Sequence, residues 1–240
     1  MPDKKTATPR INLVRRAEIA TEKRNRTRAT LLIAAFHLIG EESGQFQRVE
    51  DFCQAAAVSR GSFYKYFTGI ANLYAVLAEE LSSDFDAAVH QVMDVKTTAA
   101  ARASAAVRYN LQAAIDNPRW GWAMIHTGMG SEVFGPGVSS RARTTIAEGM
   151  ASGEFRIATP DLGKAILLGA ALGATLDILH GRNGAHYPEQ TARSILLALG
   201  VEHTTADAVV SEELPVLRPI EGVGGASPVN FWSEIGAPCT

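Results

Sequence analysis

The 240 residues predict an all-α protein, with a small N-terminal unit of three helices followed by a larger C-terminal helical bundle. Three observations point there. Apolar residues recur at the helical period through nearly the whole chain, and no segment sustains the period-2 alternation of a half-buried strand. Gly and Pro fall between the periodic stretches, where helices start and stop. With 46% apolar residues the chain has enough apolar surface for a well-buried core.

Taken in order, residues 1–22 are polar and contain Pro2 and Pro9, and read as a disordered basic arm carrying Lys4, Lys5, Arg10, Arg15 and Arg16. A first helix is expected from about Arg24 to Ile39, where Leu32, Phe36 and Ile39 follow the 3.6 period. Gly40 and Gly44 end it. A second is expected over Val49–Ala56, with Val49, Phe52, Cys53 and Ala56 on one face. A third runs over Arg60–Tyr66, announced by Ser59 as N-cap and burying Phe63 and Phe67 four residues apart. After Thr68-Gly69 a long helix begins near Ala71, with Leu73, Val76, Leu77, Leu81 and Phe85 on its apolar face. Asp84 and Asp86, like Glu79 and Glu80, read as its solvated side. Further helices are expected over Thr97–Asn117, Arg119–Met129, Val138–Met150, Asp161–Leu179 and Pro188–Leu199, with one more short helix within 201–214. The expected divisions are therefore 1–22, 23–69, 70–214 and a Pro/Gly-rich tail, 215–240.

Net charge is only −2, but it is unevenly spread. Met1–Thr68 holds 12 Lys/Arg against 7 Asp/Glu, and the remainder holds 11 against 18. A basic end on an acidic body suits contact with phosphate. The two cysteines, Cys53 and Cys239, form no metal-binding spacing, so no metal or cofactor is expected. The polar start lacks a secretory h-region. The longest apolar run, Ala165–Leu176, is about a dozen residues against the roughly 18 of a membrane span. A cytoplasmic protein without a membrane partner is expected. No HExxH, GxSxG or Walker loop is present, so an enzyme is not expected.

The segment Arg48–Phe67, RVEDFCQAAAVSRGSFYKYF, carries the most functional information. Ala55, Ala56 and Ala57 keep the turn between its two helices slim. Ser59, Ser62 and Arg60 suit phosphates or base edges, and Gly61 permits close approach. Tyr64, Lys65 and Tyr66 suit phosphate and sugar contacts. This is the layout of a helix-turn-helix, whose second helix enters the major groove of DNA. An ordinary helical hairpin with a polar surface is the alternative on patterning alone.

From about Arg28 to Leu81 the chain resembles the DNA-binding domain of the tetracycline-repressor (TetR) family of bacterial transcriptional regulators. The likeness lies in the run V-x-D-F-x-x-x-A-x-V-S-R-G-S-F-Y-x-Y-F over Val49–Phe67, the helix before it, and L-Y-A-V-L at Leu73–Leu77. The resemblance implies that Ser59, Arg60, Gly61, Ser62, Tyr64, Lys65 and Tyr66 face DNA. It places Thr68, Arg48 and Arg26, Thr27 or Arg28 near the phosphate backbone. Three positions depart from the family pattern. Arg48 stands where a capping Thr or Ser is usual. Ala57 replaces the usual turn glycine, which puts a left-handed residue there in doubt. Ile70 replaces a common Lys. Arg15, Arg16, Lys23 and Arg24 are candidates to compensate from the minor groove.

The resemblance also implies a dimer on a pseudo-palindromic operator and a small-molecule effector, expected to be apolar. Its action is expected to be repression relieved by that effector. The expected interface is the small-residue stripe of Ala165, Gly169 and Gly173 with Leu168, Leu172, Leu176, Leu196 and Leu197, internal packing being the alternative. The expected pocket gathers Arg108, Tyr109, Trp120, Trp122, Met124, His126, Met129, Phe134 and Asp177, with Asn110 a further candidate among its polar groups; plain core is the alternative for these side chains. A DNA-binding structural protein without an effector is the other functional reading.

Overall fold

The computed structural model describes residues 10–128, 134–220 and Val229, and these residues contain helices and connecting segments without a strand. The first helix, α1, spans Arg10–Ile39. The irregular arm expected over 1–22 is thus helical from Arg10, while residues 1–9 lie outside the described part. No Gly or Pro interrupts Arg10–Ile39, and Ala, Glu, Lys and Arg favour the helix intrinsically. Residues 15–26 are exposed throughout, so no apolar stripe announces this half. Thr21, Thr27 and Thr30 return their hydroxyls to carbonyls one turn earlier.

Past Ile39 the chain folds back in a 3-10 turn, Gly44–Phe46. A Cβ on Gly44 would lie 2.5 Å from the Ile39 Cα, so only glycine allows this return. Helices α2 (Val49–Ala55) and α3 (Arg60–Phe63) follow. The α-helical part of α3 is shorter than the expected Arg60–Tyr66. Tyr64–Phe67 continue it through tighter bonds, such as Lys65 N–H to the Ser62 carbonyl and Tyr66 N–H to the Phe63 carbonyl. Ala57, between α2 and α3, has φ of +52°. The left-handed turn residue is therefore present despite the missing glycine, and its side chain is exposed to solvent.

Helix α4 (Ile70–Met93) runs from this unit into the bundle. Ile70 turns its side chain to the core at the position where a lysine is common in the family. The bundle comprises α5 (Ala99–Asp116), α6 (Pro118–Gly128), α7 (Gly135–Ala151), α8 (Pro160–Leu179), α9 (Tyr187–Ala198) and α10 (His203–Ser211). Thr98 and Thr159 cap α5 and α8 by accepting from the N–H groups of Ala101 and Leu162.

Two apolar cores result. The first joins Leu31, Phe36 and Ile39 of α1, Phe52 of α2 and Phe63 of α3 to Leu73, Leu77, Leu81 and Phe85 of α4 and Trp120 of α6. It crosses the expected boundary at residue 69, so the N-terminal unit and the start of the bundle share one interior. The second gathers Val107, Leu111, Ile146, Phe155, Leu167, Ile195 and Leu196 between α5, α7, α8 and α9. Residues 212–220, beyond α10, lie along the bundle without helix. The Tyr109 hydroxyl donates to the Pro215 carbonyl at 2.6 Å, and Arg108 donates to the Glu212 carbonyl at 2.8 Å. Leu214 and Leu217 pack on the first core, in which Val229 is buried.

Helix α8 is long and apolar enough, at a mean hydropathy of 1.6 over 18 residues, to cross a membrane by those criteria alone. Its apolar run is a dozen residues, but the helix around it has 20. Only 39% of that window is buried within the chain, which leaves an apolar side facing outward.

Candidate functional site

The geometry of α3 follows from local rules. Ser59 caps α3 by accepting from Ser62 N–H at 3.1 Å, and the two serine hydroxyls lie 3.0 Å apart. Arg48 begins α2 without a side-chain cap, since a guanidinium has no acceptor. Asp51 instead accepts from the Arg48 N–H at 2.6 Å, which leaves the Arg48 side chain in solvent. Phe63 and Phe67 anchor the inner side of the unit, 5.6 Å apart between ring centres. Tyr64, half exposed, stacks edge-on against Phe63, and Lys65 is exposed. Tyr66 is half-buried against the core.

One outward surface therefore collects Arg60, Gly61, Ser62, Tyr64 and Lys65. A Cβ on Gly61 would meet only the Ser59 hydroxyl, at 3.9 Å, so no contact within the protein requires a glycine there. Arg60 pairs with Glu50 at 2.8 Å in open solvent, and bonding to Tyr64, ahead of Glu50, holds its pKa above the ordinary arginine value. Thr68 is exposed, and its N–H donates to Asn72 Oδ1. On α1, Arg26 is exposed and Thr27 bonds back to the Lys23 carbonyl. Arg28 is turned to Glu80 of α4 at 2.9 Å and ties the two helices together. Arg15, Arg16, Lys23 and Arg24 sit on the exposed half of α1, on a helix and not on an irregular arm suited to the minor groove.

A cavity of about 70 Å³ lies between α4, α5, α7 and α8. Its walls are mainly apolar: Val89, Met93, Val107, Phe134, Leu167 and Leu168. Among them stand Asp86 and Arg141, paired at 2.8 Å, together with His90, Asn110 and Thr145. Asp86 and Asp84 are thus not a solvated face. Asp84 is buried, and Asp86 is largely buried with its pKa pushed up to about 6 by loss of solvent, against the opposing pull of Arg141. Burial, then the charge of Arg141, lowers the pKa of His90 and favours its neutral form.

Of the pocket residues expected from sequence, Phe134 and Asn110 line this cavity. Arg108 and Tyr109 line a second, more open cavity of about 450 Å³ beneath the 213–217 segment. Trp120 packs on Phe85 and donates its indole N–H to the Leu81 carbonyl at 3.1 Å, and Met124 is in the same core. His126 stacks on Trp122 and lies 2.7 Å from the Ile39 carbonyl, joining α6 to the end of α1. Asp177 receives Arg182 and Tyr187, which together hold its pKa low. Met129 lies outside the described residues. The dispersal has a simple cause. Aromatic residues close in sequence on α6 point to different neighbours, whereas the cavity draws three or four residues from each of four helices.

The missed residues left one signal. Asp86 and His90, four apart, interrupt the apolar stripe of Leu81, Phe85, Val89 and Met93 on α4. Of the stripe expected to form an interface, Ala165, Gly169 and Gly173 are exposed, and a Cβ on either glycine would meet nothing within 4 Å. Leu172, Leu176 and Leu197 are half-buried, while Leu168 faces the cavity and Leu196 is fully enclosed in the second core. No cluster of metal-binding side chains occurs among the described residues.

Comparison with known proteins agrees with this architecture. Residues 99–212 match the family described as tetracyclin repressor-like, C-terminal domain. No curated protein sequence matches the chain. Among solved structures, RolR in complex with resorcinol superposes with a TM-score of 0.65 at 24% identity, covering 82% of this chain and all of RolR. FadR from Bacillus subtilis in complex with stearoyl-CoA gives 0.56 at 17%, covering 71% of this chain and 96% of FadR. NalD, the secondary repressor of the MexAB-OprM efflux pump in Pseudomonas aeruginosa, gives 0.51 at 17%, covering 74% and 96%. Residues 99–212 thus resemble the tetracyclin repressor-like C-terminal domain, and the whole architecture, with a helix-turn-helix ahead of that domain, is the fold of these solved structures.

Proposed function

We propose that the protein is a dimeric, cytoplasmic repressor that leaves a pseudo-palindromic operator when a small effector enters the α4–α5–α7–α8 cavity. The observation that carries this reading is the outward α3 surface of Arg60, Gly61, Ser62, Tyr64 and Lys65, which is polar, basic and open to close approach. In this reading α3 enters the major groove, Tyr64 and Lys65 meet the backbone, and Arg60 exchanges Glu50 for a phosphate or a guanine edge. Arg26, Arg48 and Thr68 supply flanking phosphate contacts.

The outward stripe of Ala165, Gly169 and Gly173 supports dimerisation through α8 and α9, because an apolar helix face left in water is stabilised by a second copy. A dimer presents two recognition helices one DNA turn apart, roughly 34–36 Å. The cavity opens on α4, which also packs on α1 through Arg28–Glu80, so a ligand that shifts α4 shifts the reading head. NalD is itself described as a repressor, and RolR and FadR hold small-molecule ligands, which supports both the sign and the control.

The test starts from an operator selected from random DNA. A Tyr64→Ala, Lys65→Ala double variant should lose operator binding while light scattering still finds the dimer. Undiminished binding by that variant would remove α3 from the DNA contact. Deleting residues 1–22 should flatten the log–log salt dependence of operator affinity, because it removes several cations; an unchanged slope excludes that half of α1.

A further inference from the structure

The α4–α5–α7–α8 cavity carries information about what it admits, and the argument rests on the reading above that it is the effector site. The carboxylate of Asp86 and the guanidinium of Arg141 pair with each other at 2.8 Å and are the formal charges in the lining. The lining is therefore balanced, and a charged ligand would enter a largely apolar space without a counter-charge of its own. The Asp86–Arg141 contact uses Oδ2, which leaves Oδ1 able to accept. Asn110 spends an amide N–H on the Ala106 carbonyl at 2.9 Å and keeps its carbonyl oxygen for another donor. Arg141 retains further N–H groups beyond the one that reaches Asp86.

A group that fits between Asp86 and Arg141 must donate to the first and accept from the second. A hydroxyl does both. A carboxylate cannot donate and brings a second negative charge to Asp86. An ammonium cannot accept and meets the charge of Arg141. A ketone or ether only accepts.

Size narrows the class. At about 70 Å³ the cavity is roughly half the ~150 Å³ that holds benzene in an engineered apolar site. A single ring fits after small outward shifts of flexible lining such as Met93, and a long acyl chain does not. Phe134, Val107, Leu167 and Leu168 offer apolar and aromatic faces to such a ring.

We infer that the effector is an uncharged single-ring molecule carrying one or two hydroxyls, of the phenol class, which inserts a hydroxyl between Asp86 and Arg141 and presents its ring to Phe134 and Leu168. A ligand that takes up this pair acts at the contact joining α4 to α7, and so at the base of the connector to the DNA-binding unit.

Isothermal titration of the full chain with phenol, the three dihydroxybenzenes, toluene, benzoate, benzylamine and octanoate tests this. At least one hydroxybenzene should bind tenfold or more tightly than toluene, benzoate, benzylamine and octanoate. Asp86→Asn should cost that ligand tenfold or more while leaving toluene unchanged. Ala142→Leu, which fills the cavity without touching the charged pair, should abolish hydroxybenzene binding in a protein whose circular dichroism is unaltered. Equal binding of toluene and phenol, preference for benzoate, benzylamine or octanoate, or an Asp86→Asn protein with full hydroxybenzene affinity each overturns the inference. Operator release separates this from the reading beneath it. If operator is released by benzoate or octanoate and not by hydroxybenzenes, only the ligand class fails. If a bound ligand leaves operator affinity untouched, effector control itself fails.

Discussion

Two ion pairs of similar length do opposite things in the two halves of this molecule. Arg60–Glu50, at 2.8 Å at the start of α3, has side chains 63% and 55% exposed. Arg141–Asp86, also at 2.8 Å, has side chains 39% and 19% exposed and lines an apolar cavity. In water the first pair is screened and weakly held, so Arg60 can leave Glu50 for a stronger anion without disturbing the fold. In the bundle the second pair has lost solvent, which pushes Asp86 up to about 6 even with Arg141 beside it. The same chemistry therefore makes a weakly held contact on the surface and a desolvated one inside.

The largest expected effect tests whether these regions are separable at all. Trp120→Ala removes a ring packed on Phe85 and the indole bond to the Leu81 carbonyl, in the core shared by α1, α4 and α6. It should cost about 3–5 kcal/mol in urea unfolding, as one transition. Two separated transitions would show that the N-terminal unit and the bundle fold apart.

Next comes the interior pair. Asp86 has a folded pKa raised from 3.8 to about 6, so the folded state binds the proton more tightly than the unfolded chain. Its contribution is fully favourable below about pH 4 and is lost as pH rises through about 6. The stability of the wild type relative to Asp86→Asn should therefore grow as pH falls from 7 to 4, by up to about 3 kcal/mol. His90, lowered by burial and by Arg141, titrates with the opposite sign in both proteins and largely cancels in the difference. A flat difference would mean that the carboxylate stays hydrated.

Tyr109→Phe sharpens the comparison on the bundle side. It deletes the donor to the Pro215 carbonyl and should cost about 1 kcal/mol, with faster amide exchange confined to residues 212–220. The smallest effect belongs to the N-terminal unit. Ala57 holds φ of +52° with an exposed side chain, so Ala57→Gly relieves a left-handed strain and should stabilise by about 0.5–1 kcal/mol. Destabilisation instead would place the Ala57 methyl in a contact that matters.

The helix-turn-helix was legible because its determinants lie within one or two turns of one another. Ser59 caps the helix it begins, and Phe63 and Phe67 meet at four-residue spacing. The N-terminal half of α1 was not legible from apolar periodicity, because a helix exposed on all sides carries no such period. The turn at Ala57 ran against the residue preference because α2 and α3, packed on a common core, hold the short connection in place. The cavity escaped for a different reason. Asp86, Asn110, Arg141 and Leu168 belong to four helices and come within reach of one another only when those helices pack.

From sequence alone came the helical class, most helix limits, and the exposed polar surface of α3, all of which depend on local period, caps and composition. The tertiary structure alone decided that Trp120 and His126 join the two regions while Asp86 and Arg141 face a cavity. The physical reason is that burial is a property of the packed neighbours. A carboxylate with the same local sequence is solvated on a free helix and titrates near 6 once α7 lies over it.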